Sequence, residues 1–264
     1  MEKSDSRDSR LAIFADDGAP ASDVAWAWVT SHRWPGWRLN ILTVHETLYP
    51  GGPPVGDSHH VHRRPPAEAG FAEVIHVDRD GDPRTVLLGH PDASLLVVGC
   101  HRRGHLSGLF AGSTTEWLLV RPPRPLAIAR HGHPTQTVAI CVDGSAHAQH
   151  ALETFLTLPW SSDVEVSLVS VADGPTDVEE ALAAGRAVFP EGAQPGEVRL
   201  AGTPRREIPA FVRAHRFDLV VLGTRGLTGL TRMTAGSTVS ALVTDETANL
   251  LVAHVAEHSA VVAT

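Results

Sequence analysis

Apolar and polar positions alternate along the chain in two rhythms. Short runs, rich in β-branched residues and apolar on both faces, recur at residues 137–142, 164–171, 197–200, 219–222 and 250–254. Such runs read as buried parallel strands. Between them the apolar positions recur at helical spacing. Ala148, Leu152, Phe155 and Leu156 share one face, with Pro159 ending that helix. Ile208, Phe211, Val212 and His215 share another, and Val239, Leu242 and Val243 a third. A shorter helical pattern covers residues 177–188. Alternation of this kind predicts a parallel sheet with helices on both sides.

The pattern occurs twice, at an offset of about 125 residues. LAIFADDGAP, RLNILTVHE, VDRDGDPRTV, SLLVVGCHRRGHLSGLFAGSTTEWLL and PLAIAR follow one another in the first copy. TVAICVDGSA, EVSLVSVAD, RLAGTPRREI, DLVVLGTRGLTGLTRMTAGSTVSALV and NLLVAHV follow in the second. Gly81-Asp82-Pro83 and Gly202-Thr203-Pro204 mark the same helix start, with Asp or Thr as cap and Pro at the first helical position. The copies differ between their second and third strands. There the first runs PGGPPVGDSHHVHRRPP over residues 50–66, a long loop by its prolines and glycines. The boundary falls in residues 131–134, giving two domains, 1–132 and 133–264. Each is expected to be a doubly wound α/β unit with a five-stranded parallel sheet.

Composition narrows the chemistry. A formal net charge of -8 lacks the basic surface of a nucleic-acid binder. No apolar run is long enough to span a membrane, and residues 1–10 read as a polar leader without a signal-peptide core. Cys100 and Cys141 are the only cysteines, which suits a reducing cytoplasm. Lys3 is the only lysine. A Walker A loop, a kinase core and a Schiff-base enzyme each need a lysine elsewhere.

One motif carries candidate chemistry: Gly223-x2-Gly226-x9-Gly236-Ser237, running from a strand end to a helix start. Gly223 would keep the strand end open to a nucleotide, and Gly226 suits a positive φ. Gly236 would let phosphate lie against the first turn of the last helix, where N–H groups and the helix dipole favour an anion. Thr224 and Arg225 fill the gap between the first two glycines, and the hydroxyls of Ser237 and Thr238 can add hydrogen bonds. Asp143, after the first strand of this copy, could accept from ribose hydroxyls or hold Mg2+. Val171, at the end of the second strand, could pack on adenine. Each has a plainer role too: Asp143 as a helix cap, Val171 as a core residue.

This arrangement resembles the universal stress protein family in its tandem form, over nearly the whole chain. The resemblance implies an adenine nucleotide alpha hydrolase-like fold and ATP as cofactor, with Mg2+ as a candidate companion. It implies that the glycines and Ser237 hold the triphosphate, Asp143 lies by the ribose and Val171 touches adenine. It further implies a nucleotide-dependent regulator of the stress response with a protein partner the sequence does not name. The family pairs its domains through their last strands, which suggests a homodimer as well. Weak ATP hydrolysis, a nucleotide-free scaffold, and AMP or a cyclic nucleotide as ligand stay open.

The first copy keeps Asp17, Val44, Gly99, Gly112 and Ser113 in register, but Arg102 replaces the second glycine and Gly104 comes two residues late. Arg102 would fit a positive φ poorly or reach a phosphate as a cation. His59, His60 and His62 read as a solvated loop, not a metal site. Trp26, Trp28, Trp34 and Trp37 read as core, and both cysteines as packing groups.

Overall fold

A computed structural model describes residues 10–46, 62–90, 92–100, 114–120, 124–174, 176–224 and 236–255. The first half contains β1 (Leu11–Ala15), α1 (Pro20–Thr30), β2 (Arg38–His45), β3 (Glu73–Asp80), α2 (Pro83–Leu88), β4 (Leu95–Gly99), α3 (Thr114–Val120) and β5 (Leu126–Ala129). The second contains β6 (Thr137–Cys141), α4 (Ala146–Leu156), β7 (Glu165–Ala172), α5 (Val178–Ala187), β8 (Gly196–Ala201), α6 (Pro204–His215), β9 (Leu219–Gly223), α7 (Ser237–Asp245) and β10 (Asn249–Ala253). The strands of the second half lie within a residue or two of the apolar runs that announce them.

Each half orders its strands alike, β3-β2-β1-β4-β5 and β8-β7-β6-β9-β10, with every neighbour parallel. The two are not separate sheets. β5 and β10 pair antiparallel, with Leu251 opposite Ala127, and make one ten-stranded sheet. The last-strand packing that suggested a homodimer is therefore found inside the chain. β5 and β10 each have neighbours on both sides, so a dimer of chains would have to use other surfaces.

One core lies on each face of this sheet and runs across both halves. Residues of α1, α4 and α5 cover one face, including Trp28, Phe155 and Leu182. Residues of α2, α3, α6 and α7 cover the other, including Leu87, Leu118, Val212 and Leu242. Trp28, Trp34 and Trp37 are buried and Trp26 packs against them, so the tryptophans are core.

The helix starts follow their capping residues. Asp82 accepts from the Arg84 N–H at 3.1 Å, Ser145 from Ala148 at 3.2 Å and Asp177 from Glu180 at 3.0 Å. Thr203 makes no such bond, so α6 starts on Pro204 alone.

The halves differ between their second and third strands, where the described residues of the first half include no counterpart of α5. In the second half α5 covers Val142, and a Cβ on Gly185 would stand 3.2 Å from the Val142 side chain. In the first half Asp16 takes the place of Val142, and a short 3-10 turn, Ala67–Ala69, precedes β3. Asp16 and Arg63 are both buried and bonded through two nitrogens of the guanidinium. Arg63 also donates to Asp23 at 2.8 Å and lies over the rings of Phe14 and Trp26. Residues 50–61 of the expected loop lie outside the described residues.

The joint between the halves is made by side chains as well. His32 donates from Nδ1 to the Trp28 carbonyl at 2.7 Å, so its Nε2 accepts the Thr135 N–H at 3.0 Å. Its ring lies against Trp160 of the second half, with centroids 4.2 Å apart. Burial pushes the His32 pKa down to about 4, with the Trp28 bond opposing and His133 adding to the shift. Arg130, after β5, reaches into the second half and donates to the Leu242 and Val243 carbonyls near the end of α7 and to the Ala248 carbonyl just before β10. A cation there also suits the helix dipole.

Candidate functional site

Parallel ladders bring the predicted residues of the second half to one edge of the sheet. Ile140 pairs with Val221, and Cys141 with Val169. Asp143, Val171 and Gly223-Thr224 therefore leave the strands on the same side, the carboxyl end, where open α/β sheets bind ligands. Gly236 and the start of α7 come back to this edge. Arg225 and Gly226 lie outside the described residues, as do Arg102, Gly104, Gly112 and Ser113 of the first half.

Asp143 is half-buried, and its Oδ1 accepts the Ser145 N–H at 2.9 Å. This bond turns the chain into α4, with Gly144 at φ +78°. Val171 is buried among core residues beside α6 and α7, so its packing role is met whatever else it touches. Ser237 is exposed and Thr238 half-exposed at the first two positions of α7. The first N–H groups of any helix have no partner within it, so this end presents donors and two hydroxyls together.

The glycines have a different reason than the sequence suggests. A Cβ on Gly223 would stand 2.6 Å from the His147 carbonyl carbon and 2.8 Å from the Ala148 nitrogen. The space belongs to the first turn of α4, not to a ligand. A Cβ on Gly236 would stand 2.7 Å from the Thr224 oxygen. Gly236 thus lets the two ends of the loop between Thr224 and α7 meet. Gly99 repeats the first device, since its Cβ would fall on the backbone of Ala21 and Ser22 in α1.

Thr224 is buried and held on several sides. Its N–H donates to the Ala253 oxygen at 3.0 Å, and its hydroxyl lies 3.0 Å from His254 Nδ1. His254 stacks on His147 with centroids 5.0 Å apart and planes 13° apart. Val255 N–H donates to His147 Nδ1 at 3.0 Å, which places the proton of a neutral His147 on Nε2. The sequence did not single out either histidine among sixteen. The only signal was position: His254 ends the last apolar run, and His147 lies just after the Asp143 turn.

In the first half Asp17 is exposed, and its Oδ1 accepts from the Ala19 N–H at 3.0 Å and from the Ser22 hydroxyl. Val44 packs on the α2 face. Cys141, at the end of β6, has its thiol pushed up to about 12 by burial, with Asp143 adding, so it is a neutral packing group. Among the described residues no group of three metal-ligating side chains occurs, and no helix is long and apolar enough to cross a membrane.

The universal stress protein family model matches residues 12–130 and 176–254. The second segment includes Gly223 to Ser237 but not Asp143 or Val171. Among solved structures the chain is similar to a universal stress protein from Archaeoglobus fulgidus DSM 4304, with 18% identity and a TM-score of 0.73, covering 94% of this chain and 99% of that one. It is similar to a protein described as functionally unknown from Pseudomonas aeruginosa PAO1, with 15% identity, a TM-score of 0.58 and coverage of 94% and 93%. It is also similar to the cytoplasmic domain of a prokaryotic cation chloride cotransporter, with 10% identity, a TM-score of 0.53 and coverage of 93% and 95%. At these identities the likeness is one of fold, and the last comparison separates fold from function. No curated protein is matched. The two matched segments span more than half of the sequence, and the chain belongs to the universal stress protein family.

Proposed function

We propose that the second half binds ATP, with Mg2+, at the edge formed by Asp143, Val171, Thr224, Gly236, Ser237 and Thr238. The chain would then act as a nucleotide-dependent regulator in the stress response, through a protein partner in the cytoplasm. The observation that carries this reading is the meeting of Thr224 and Gly236 at the start of α7. It brings helix N–H groups, the Ser237 and Thr238 hydroxyls and the Asp143 turn to one edge of the sheet, a seat for phosphate beside a seat for ribose. The domains are drawn at 1–132 and 133–264, with one nucleotide site in the second.

Calorimetry with MgATP tests the reading. Substituting Gly236 would confound it, because the added Cβ would strike the Thr224 backbone. Ser237→Glu is the cleaner variant. A carboxylate in the first turn suits the helix dipole while repelling phosphate from the same donors. One site per chain is expected, weakened by at least about tenfold in the variant at an unchanged melting temperature. Absence of wild-type binding at millimolar ATP overturns the reading. Titrations with AMP and a cyclic nucleotide, and a phosphate-release assay, separate the ligand and hydrolase variants of it.

A further inference from the structure

The ten-stranded sheet ends on β3 in the first half and on β8 in the second. Among the described residues each of these strands has a neighbour on one side alone, so each offers backbone donors and acceptors to a further strand. The two edges are equipped differently. On β8 the charges are taken up by α5 and by each other. Arg199 donates to Glu179 at 2.6 and 2.8 Å and to Glu197 at 2.9 Å, and Arg186 bonds Glu197. No large apolar side chain of β8 is exposed. β3 has eight residues, and Ile75 near its middle is 42% exposed. Glu73 and Arg79 are exposed as well, and among the described residues neither is in an ion pair. Arg79 donates instead to the carbonyl of its neighbour Asp78 at 2.8 Å.

These residues are spaced symmetrically about His76. The register with β2 sets Ile75 opposite Asn40 and Val77 opposite Leu42. Side chains alternate along a strand, so Glu73, Ile75, Val77 and Arg79 share the face that carries Leu42. A two-fold axis at His76, with a second β3 running antiparallel, places Glu73 of each strand opposite Arg79 of the other, and Ile75 opposite Val77. Both ends of the ladder then carry opposite charges, and its middle carries β-branched apolar pairs. We propose that β3 pairs antiparallel with β3 of a second copy of this chain in this register, closing a two-fold homodimer through the edge of the first half. The chain already joins its own halves by such an antiparallel edge pair, between β5 and β10. A contact of β3 with β8 would be head-to-tail and leave an edge open at every step, so it would build a chain of copies without end. The β8 charges, already paired with α5, offer little to Glu73 and Arg79.

Sedimentation equilibrium of the full chain tests this, with a thermal melt of each variant to check its fold. Wild type is expected to reach twice the mass of one chain at about 100 μM. Ile75→Lys, at an exposed position, is expected to weaken the dimer at least about tenfold at an unchanged melting temperature. Glu73→Arg and Arg79→Glu each set like charges opposite one another at both ends of the ladder, and each should weaken it by a similar factor. An equimolar mixture of these two single variants sets opposite charges at both ends again. It should recover the dimer to within about threefold of wild type. Damage done by either substitution within its own chain would not be relieved by mixing. The proposal is overturned by a wild type that stays monomeric up to about 1 mM, or by a dimer indifferent to all three substitutions. It is also overturned by a mixture no stronger than its components, or by growth past the dimer, which would signal β3 meeting β8. No nucleotide is needed, so the result stands apart from the MgATP titration.

Discussion

On the face covered by α1 and α4, the second half lays α5 across Val142, while the first half puts Asp16 in that position and buries Arg63 over it. Both solutions cover the corresponding position of the sheet. One uses a helix and apolar contact. The other uses one guanidinium held by two carboxylates and two aromatic rings. At the carboxyl edge the contrast repeats. Glycine stands at both strand exits because a helix turn presses on each, yet the residues after them share no chemistry. Backbone geometry at these exits has been kept in both copies, and the side chains beside it have not.

Breaking the ionic plug should produce the largest effect. Arg63→Ala leaves Asp16 buried without its partner, and chemical denaturation is expected to register a loss of about 3–5 kcal/mol. Replacing the pair together, as Asp16→Val with Arg63→Leu, should recover most of it, because apolar contact is the solution the other half already uses. A double variant no better than Arg63→Ala would mean that Asp23 and the rings, not Asp16, set the role of Arg63.

The joint between the halves should respond to acid. The folded pKa of His32 lies below its ordinary value of 6.5, at about 4. Its contribution to stability is therefore complete above pH 6.5 and is lost progressively as pH falls towards 4. The difference between wild type and His32→Gln, which can also donate and accept, should amount to about 3 kcal/mol across that window. Denaturant midpoints at pH 7 and 4.5 measure it. Parallel pH profiles would show that the joint does not depend on a neutral imidazole.

The two strand-exit glycines should behave alike despite the divergence around them. Gly99→Ala and Gly223→Ala each drive a methyl group into helix backbone, and about 1–3 kcal/mol of destabilisation is expected for both in thermal or urea melts. A large difference between them would place the common ground of the halves elsewhere. The smallest contrast lies at the third helix of each half. Asp82→Ala should cost about 1 kcal/mol, whereas Thr203→Ala should fall within a few tenths, because only Asp82 bonds its helix start.

Much of this architecture was legible because apolar runs and helical spacing report which faces are buried, and burial is what makes a strand or a helix here. Val220 and Leu250 announce buried strands, and Pro204 a helix start, wherever their partners lie. What was not legible depends on residues far apart in sequence. Asp16 and Arg63 look like ordinary surface charges until the fold brings them together across 47 residues. The joining of β5 to β10 leaves no trace in periodicity, since an apolar run suits either a parallel or an antiparallel neighbour. Gly223 was read as room for a ligand because the sequence shows that a side chain is missing, not what fills the space. His147 and His254 were overlooked because imidazole becomes informative only through what its nitrogens face.

The antiparallel joint of β5 and β10 has a consequence for how the molecule can specialise. It relates the halves as a two-fold axis relates the subunits of a dimer, so Arg130 and His254 occupy the same place in each. In an assembly of identical chains a residue at that place would be present twice and would have to serve both surroundings. Here one copy ties down the far end of α7 while the other grips Thr224. Carrying both halves on one chain breaks the symmetry at the level of single residues, so that one half can act as the frame for the other.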